Sequence, residues 1–189
     1  VTRTLLGLSI VLFAVKAAAA QPVPVDGDVH FRNFNLAVAR HIALHERLRS
    51  EVAGPVASSS ARDLNLASDQ LAAAIRRARP RASQGDFFDA ESTRAIRERL
   101  KQALSSPAST VDLEAIDDER PAVVPPRVYL RFPEASEMAT MPPSLLALLP
   151  RLPGELEYRI VGDNLVLRDV KAALILDYIA GAVPRKQKR

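Results

Sequence analysis

Cysteine and tryptophan are absent from the 189 residues, and glycine and histidine are scarce, at seven and three. Without cysteine there is no disulfide staple, no thiol nucleophile and no cysteine-ligated zinc or iron–sulfur centre. The glycines stand singly, so no glycine-rich loop is available to cradle a phosphate. All three histidines (His30, His41 and His45) fall in the first quarter of the chain, which leaves most triads and metal sites short of parts. No G-x-S-x-G elbow is present. What remains is ordinary globular composition, 48% hydrophobic and 25% charged, long enough for one domain with a core.

Long apolar runs are also missing, with one exception. Leu5 to Val15 is unbroken in apolar or small residues, Arg3 precedes it, and Ala17 to Ala20 follow. This is the pattern of a secretory signal, with cleavage expected after Ala20 and Gln21 as the first mature residue. Its eleven residues fall well short of the ~20 that a membrane helix needs. The expected location is therefore the periplasm or the exterior of a bacterium. Removing Arg3 and Lys16 leaves 24 bases against 22 acids, and four of those bases lie in the last five residues, Arg185 to Arg189. The body thus carries 20 bases and 22 acids, so the high pI belongs to the ends, and nucleic acid is not an expected partner.

After the signal (1–20), residues 21–30 read as a proline-punctuated linker. Asp26 and Asp28 around Gly27 lack the remaining ligand ladder of a calcium loop. A helical segment is expected over 31–104. Its first helix spans Phe31 to Val52, with Phe34, Val38, His41, His45, Leu48 and Val52 on one stripe. Gly54-Pro55 ends it. A second helix runs from Asp63 to about Arg79, stopped by Pro80, and a third from Ala90 to Leu104, capped by Asp89. Residues 105–153 form an acidic, proline-rich connector with a strand-like stretch at Val128–Phe132 and a short helix at Leu145–Leu149. Residues 154–180 read as a β-meander: Leu156–Val161, a Gly162-Asp163-Asn164 turn, Leu165–Asp169, and Ala173–Ile179, for which strand is favoured over helix. The basic tail 181–189 is expected to be disordered. The fold class is α+β, with about three antiparallel helices packed on a small C-terminal antiparallel meander.

The run from Leu145 through Pro150-Arg-Leu-Pro-Gly-Glu-Leu-Glu-Tyr-Arg-Ile-Val-Gly-Asp-Asn-Leu-Val-Leu-Arg-Asp169, closing in Leu-Ile-Leu-Asp-Tyr-Ile179, resembles the last segment of a group of secreted bacterial proteins of unknown function. Residues 74–88, with Ala-Ile-Arg-Arg-Ala-Arg and Gln-Gly-Asp-Phe-Phe, are similar to the same group. The resemblance implies export and brings no activity. A lesser likeness, in the Tyr-Arg hairpin, links the chain to RcnB-type periplasmic proteins, a type connected with metal homeostasis.

Four constellations are candidate sites. His41 and His45 stand at i, i+4, the spacing at which one helix face offers two imidazoles to one metal. They also lie in an apolar stripe, where a packed, hydrogen-bonded histidine is the commoner arrangement. Arg76, Arg77, Arg94, Arg97 and Lys101 form a cationic face for an anionic polymer, a lipid headgroup or an envelope protein. The alternative is that the acidic connector covers them, for example through an Arg97–Glu119 pair. Phe87-Phe88 is read as an exposed contact turn. Asp169 and Asp177 on neighbouring strands could form a carboxylate pair for hydrolysis. No cofactor is called for. The expected function is a non-enzymatic envelope-binding protein, with a metal or small-ligand protein using His41 and His45 as the alternative and a carboxylate hydrolase third. The basic tail could add peripheral contact with an anionic membrane.

Overall fold

The computed structural model describes residues 28–52, 60–105, 125–131 and 139–183. The signal segment and its cleavage site, most of the 21–30 linker, the Gly54-Pro55 stop, the acidic stretch with Glu119, and the basic residues 185–189 lie outside the described residues.

A single 3₁₀ turn, Val29–Phe31, opens the fold, and Asp28 caps it by accepting from the His30 amide. Helix α1 (Arg32–Val52) follows, burying Phe34, Val38, His41, His45 and Leu48 along the expected stripe. Helix α2 (Ala61–Ala78) starts two residues earlier than the sequence pattern suggests. The Ser60 hydroxyl accepts from the Asp63 amide, a cap that places Ala61 inside the helix. Helix α3 (Ala90–Leu104) is capped by Asp89, which accepts from the Ser92 amide at 2.8 Å.

Among the described residues the sheet has four strands in the order β1-β2-β3-β4, all neighbours antiparallel: β1 (Ala139–Thr140), β2 (Leu156–Val161), β3 (Asn164–Asp169) and β4 (Leu174–Ile179). Between β1 and β2 lies a one-turn helix, α4 (Pro143–Leu146), with proline in its first turn as the pre-set φ of that residue favours. Gly162, at φ 58°, takes the first place of the two-residue β2–β3 turn, where a left-handed backbone is best met by glycine. The 173–179 stretch is strand from Leu174, as favoured from its Ile and Tyr content.

Two parts of the connector differ from expectation. Ala139–Thr140 adds a short edge strand to the meander. Of the expected strand Val128–Phe132, the described part, Val128–Arg131, is not a regular strand. Val128 and Tyr129 lie in a turn, Tyr129 has φ 66°, and Arg131 alone makes a bridge, to Leu174. The Tyr129 amide still donates to Ile175 O, and the Ile175 amide to Leu130 O, so the segment closes the β4 edge without extending the ladder.

The helices cover one sheet face. Phe34 and Val38 of α1, Leu71 and Ile75 of α2, and Ile96 and Leu100 of α3 share one buried cluster with Leu156, Tyr158, Ile160, Leu165, Leu167 and Leu174 of the sheet. The opposite face carries a small cluster of Val161, Val166 and Ile175, with Leu130 and Tyr178 packed against it.

Phe87 and Phe88, read from sequence as an exposed contact turn, are instead in this core, at 2% and 3% exposure. Phe88 stacks on Phe34 with ring centroids 5.4 Å apart, and both rings stack on Tyr158. Truncating a core phenylalanine leaves a cavity as well as losing transfer energy. Phe88→Ala is therefore expected to lower unfolding stability by about 3–5 kcal/mol, measured by urea titration. A cost under about 1 kcal/mol, the ordinary result at an exposed position, would return the pair to the surface.

Candidate metal centre

The stripe of α1 that faces the sheet is apolar except where it meets the C-terminal end of β3. There His41 and His45, one turn apart, point at the same carboxylate. His41 Nε2 lies 2.9 Å from Asp169 Oδ2, and His45 Nδ1 lies 2.7 Å from the same oxygen. The other oxygen, Oδ1, accepts from the Ala172 amide at 2.8 Å. All three side chains are buried, with Asp169 wholly enclosed. Their ligand-capable atoms lie within 4.8 Å of one another, the one such histidine–carboxylate group among the described residues.

The electrostatics follow from that enclosure. Burial disfavours the Asp169 carboxylate, but the hydrogen bonds from His41 and His45, with the Ala172 amide, outweigh it and hold its pKa at about 2. The carboxylate is thus an anion inside the protein at neutral pH. A carboxylate only accepts, so in the metal-free arrangement with neutral rings each ring donates from the nitrogen that faces Asp169. This leaves His41 Nδ1 and His45 Nε2 as acceptors, and both are buried without a hydrogen-bond partner. The His41 ring also packs edge-on against Phe87 at 5.7 Å, and it lines a cleft of about 360 Å³ together with Arg40, Arg79 and Asp86.

Two imidazoles and one carboxylate are a donor set that suits Zn²⁺ and other first-row divalent ions, with further positions left open. If the facing nitrogens give up their protons to the outer nitrogens, three lone pairs converge where two hydrogen bonds now stand.

The suspected Asp169–Asp177 carboxylate pair is not formed. A β-bulge explains why Asp177 still reaches the helix side of the sheet. Leu167 pairs with Asp177 but Arg168 pairs with Ile175, so Leu176 is the extra residue. Asp177 then accepts from the backbone amides of Gly85, Phe87 and Phe88 in the α2–α3 connection, at 2.8–3.1 Å, and from its neighbour Tyr178. Burial pushes its carboxyl above the ordinary value while those amides oppose the shift. Each aspartate is taken up by a different set of donors, so neither is placed to exchange a proton with the other.

The cationic face is divided. Arg77, Arg94 and Lys101 are exposed. Arg76 donates to Tyr129 O at 2.8 Å, and Arg97 donates to Ala180 O at 2.6 Å, so these two pin the connector and the end of β4 to the helices. The histidine pair is legible in the sequence from its helical spacing. The partners of Asp169 are these histidines and not Asp177, a pairing no local pattern shows because they lie 124 and 128 residues away in the chain.

Comparisons with known protein families, with characterised proteins and with solved structures found no match. Among the described residues no helix is long and apolar enough to cross a membrane.

Proposed function

We propose that this chain is an exported, non-enzymatic binding protein of the bacterial envelope whose ligand is a divalent first-row metal ion held by His41, His45 and Asp169. Export rests on the Arg3, Leu5–Val15 and Ala17–Ala20 pattern. The observation that carries the metal reading is the convergence of three buried ligand atoms from α1 and β3 within 4.8 Å.

The same surroundings favour a labile site over a structural one. When metal takes the facing nitrogens, the ring protons sit on His41 Nδ1 and His45 Nε2, which have no acceptor. Ligating histidines ordinarily donate that proton to a partner, and losing the partner costs about 10–100-fold in affinity. An ion held this way exchanges readily, as suits a carrier or buffer.

Calorimetric titration of the mature chain from Gln21, stripped with a chelator, tests the reading with Zn²⁺ as the probe. One ion per chain is expected, weakened at least tenfold in His41→Ala and in His45→Ala and unchanged in His30→Ala, whose side chain is exposed. His45→Gln, which keeps a hydrogen-bonding side chain, separates lost coordination from lost folding, with circular dichroism as the check. Absence of saturable binding by the parent chain, or binding by both alanine variants as tight as the parent's, overturns the reading and leaves a buried clamp between α1 and β3.

A further inference from the structure

A second concavity, of about 450 Å³, lies between α4 and β2. Its walls are Met141, Leu146, Leu149, Leu152, Leu156 and Tyr158. The polar end of Tyr158 does not face outward for a ligand, because its hydroxyl donates to Pro150 O at 3.0 Å and leaves the ring as apolar wall. Leu146 lines the groove at 47% exposure, next to Leu145, which is buried in the core.

Arg151, Arg159 and Glu157 complete the lining. Glu157 is held by two arginines, Arg159 and Arg168, so the rim carries net positive charge once Arg151 is included. Arg159 uses one guanidinium nitrogen on Glu157, at 2.8 Å, while its Nε is buried without a hydrogen-bond partner. An apolar trough with guanidinium at its rim is complementary to a molecule that is apolar along its length and anionic at one end. The volume falls at the small-molecule end of ligand pockets, which run from about 300 to 1,000 Å³, and so favours one chain over a docked helix.

We infer that this groove binds a single-chain amphiphile with an acidic headgroup, a medium- or long-chain carboxylate, with the acyl chain along the leucines and the carboxylate at Arg151 and Arg159. The site shares no residue with the histidine centre, and its test is run in chelator so that the two stand or fall separately.

Displacement of a fluorescent dansylated undecanoic acid from the mature chain provides the measurement. Saturable binding is expected, with laurate displacing the probe better than decanoate by roughly fourfold per methylene, the factor that burying each CH₂ supplies. Dodecanol should compete at least tenfold less well than laurate. Leu146→Glu, a change at an exposed position that spares the core, should weaken laurate at least tenfold. Arg151→Gln should weaken laurate and leave dodecanol unchanged. No saturable binding, equal binding by Leu146→Glu, or dodecanol matching laurate overturns the inference. So does concentration-dependent dimerisation abolished by Leu146→Glu, which would make a second copy of the chain the occupant.

Discussion

Asp177→Ala is expected to be among the most destabilising single changes in this protein, costing about 3–5 kcal/mol in urea unfolding. The carboxylate is enclosed and accepts from the amides of Gly85, Phe87 and Phe88. Alanine would leave those donors without a partner, and each buried orphan costs about 1–3 kcal/mol, less than additively because the turn can relax. The α2–α3 connection would loosen, and with it the Phe87 and Phe88 side chains that this connection delivers to the core. Asp177→Asn is the informative comparison. Its oxygen still accepts, but its NH₂ faces backbone donors, so an intermediate loss is expected. A cost of less than about 1 kcal/mol for the alanine variant would mean that the amides find other acceptors and that the bulge at Leu176 is not needed to hold the turn.

The second large effect falls on Asp169 in the metal-free protein. Asp169→Ala removes the acceptor for His41, His45 and the Ala172 amide together, and a loss of about 3–5 kcal/mol is expected, as when one partner of a buried polar network is deleted. The pH dependence has a definite sign. The carboxyl titrates at about 2 when folded against 3.8 in the ordinary state, so the unfolded chain takes up its proton first as pH falls. This stabilisation is complete above the ordinary value, decays between about pH 4 and 2, and amounts to about 2 kcal/mol. Urea midpoints measured in chelator from pH 5 to pH 2 should fall more steeply for the parent chain than for Asp169→Asn. Parallel curves would show that the carboxylate gains nothing from the two imidazoles.

Both aspartates connect a helix layer to a sheet through polar contacts in an otherwise apolar interface. At Asp169 the contact has the further chemistry of a metal site, because its partners are imidazoles and can exchange a proton for an ion. At Asp177 the partners are backbone amides, which cannot. That difference in donors separates the candidate binding centre from the structural staple, although the two residues share a sheet face and a residue type.

Much of the fold follows from local patterns. The third helix begins and ends where Asp89 and the Ile96, Leu100, Leu104 spacing place it, because a cap and an apolar stripe are short-range signals. The β2–β3 hairpin follows equally from alternation on both sides of Gly162. Local patterning fails where distant residues decide the outcome. Val128–Phe132 alternates like a strand, yet Tyr129 takes a left-handed backbone and the segment meets β4 through a bridge at Arg131. Phe87 and Phe88 sit among turn residues, and nothing nearby announces that a strand about ninety residues on will capture their amides. By itself the sequence determined the α+β order, the helix and hairpin positions and the His41–His45 spacing, since each depends on neighbours within a few turns or strand positions. Tertiary structure alone brought Asp169 to the histidines, sent Asp177 to the backbone and left a groove beside α4, because burial and register are set between segments that no local pattern connects.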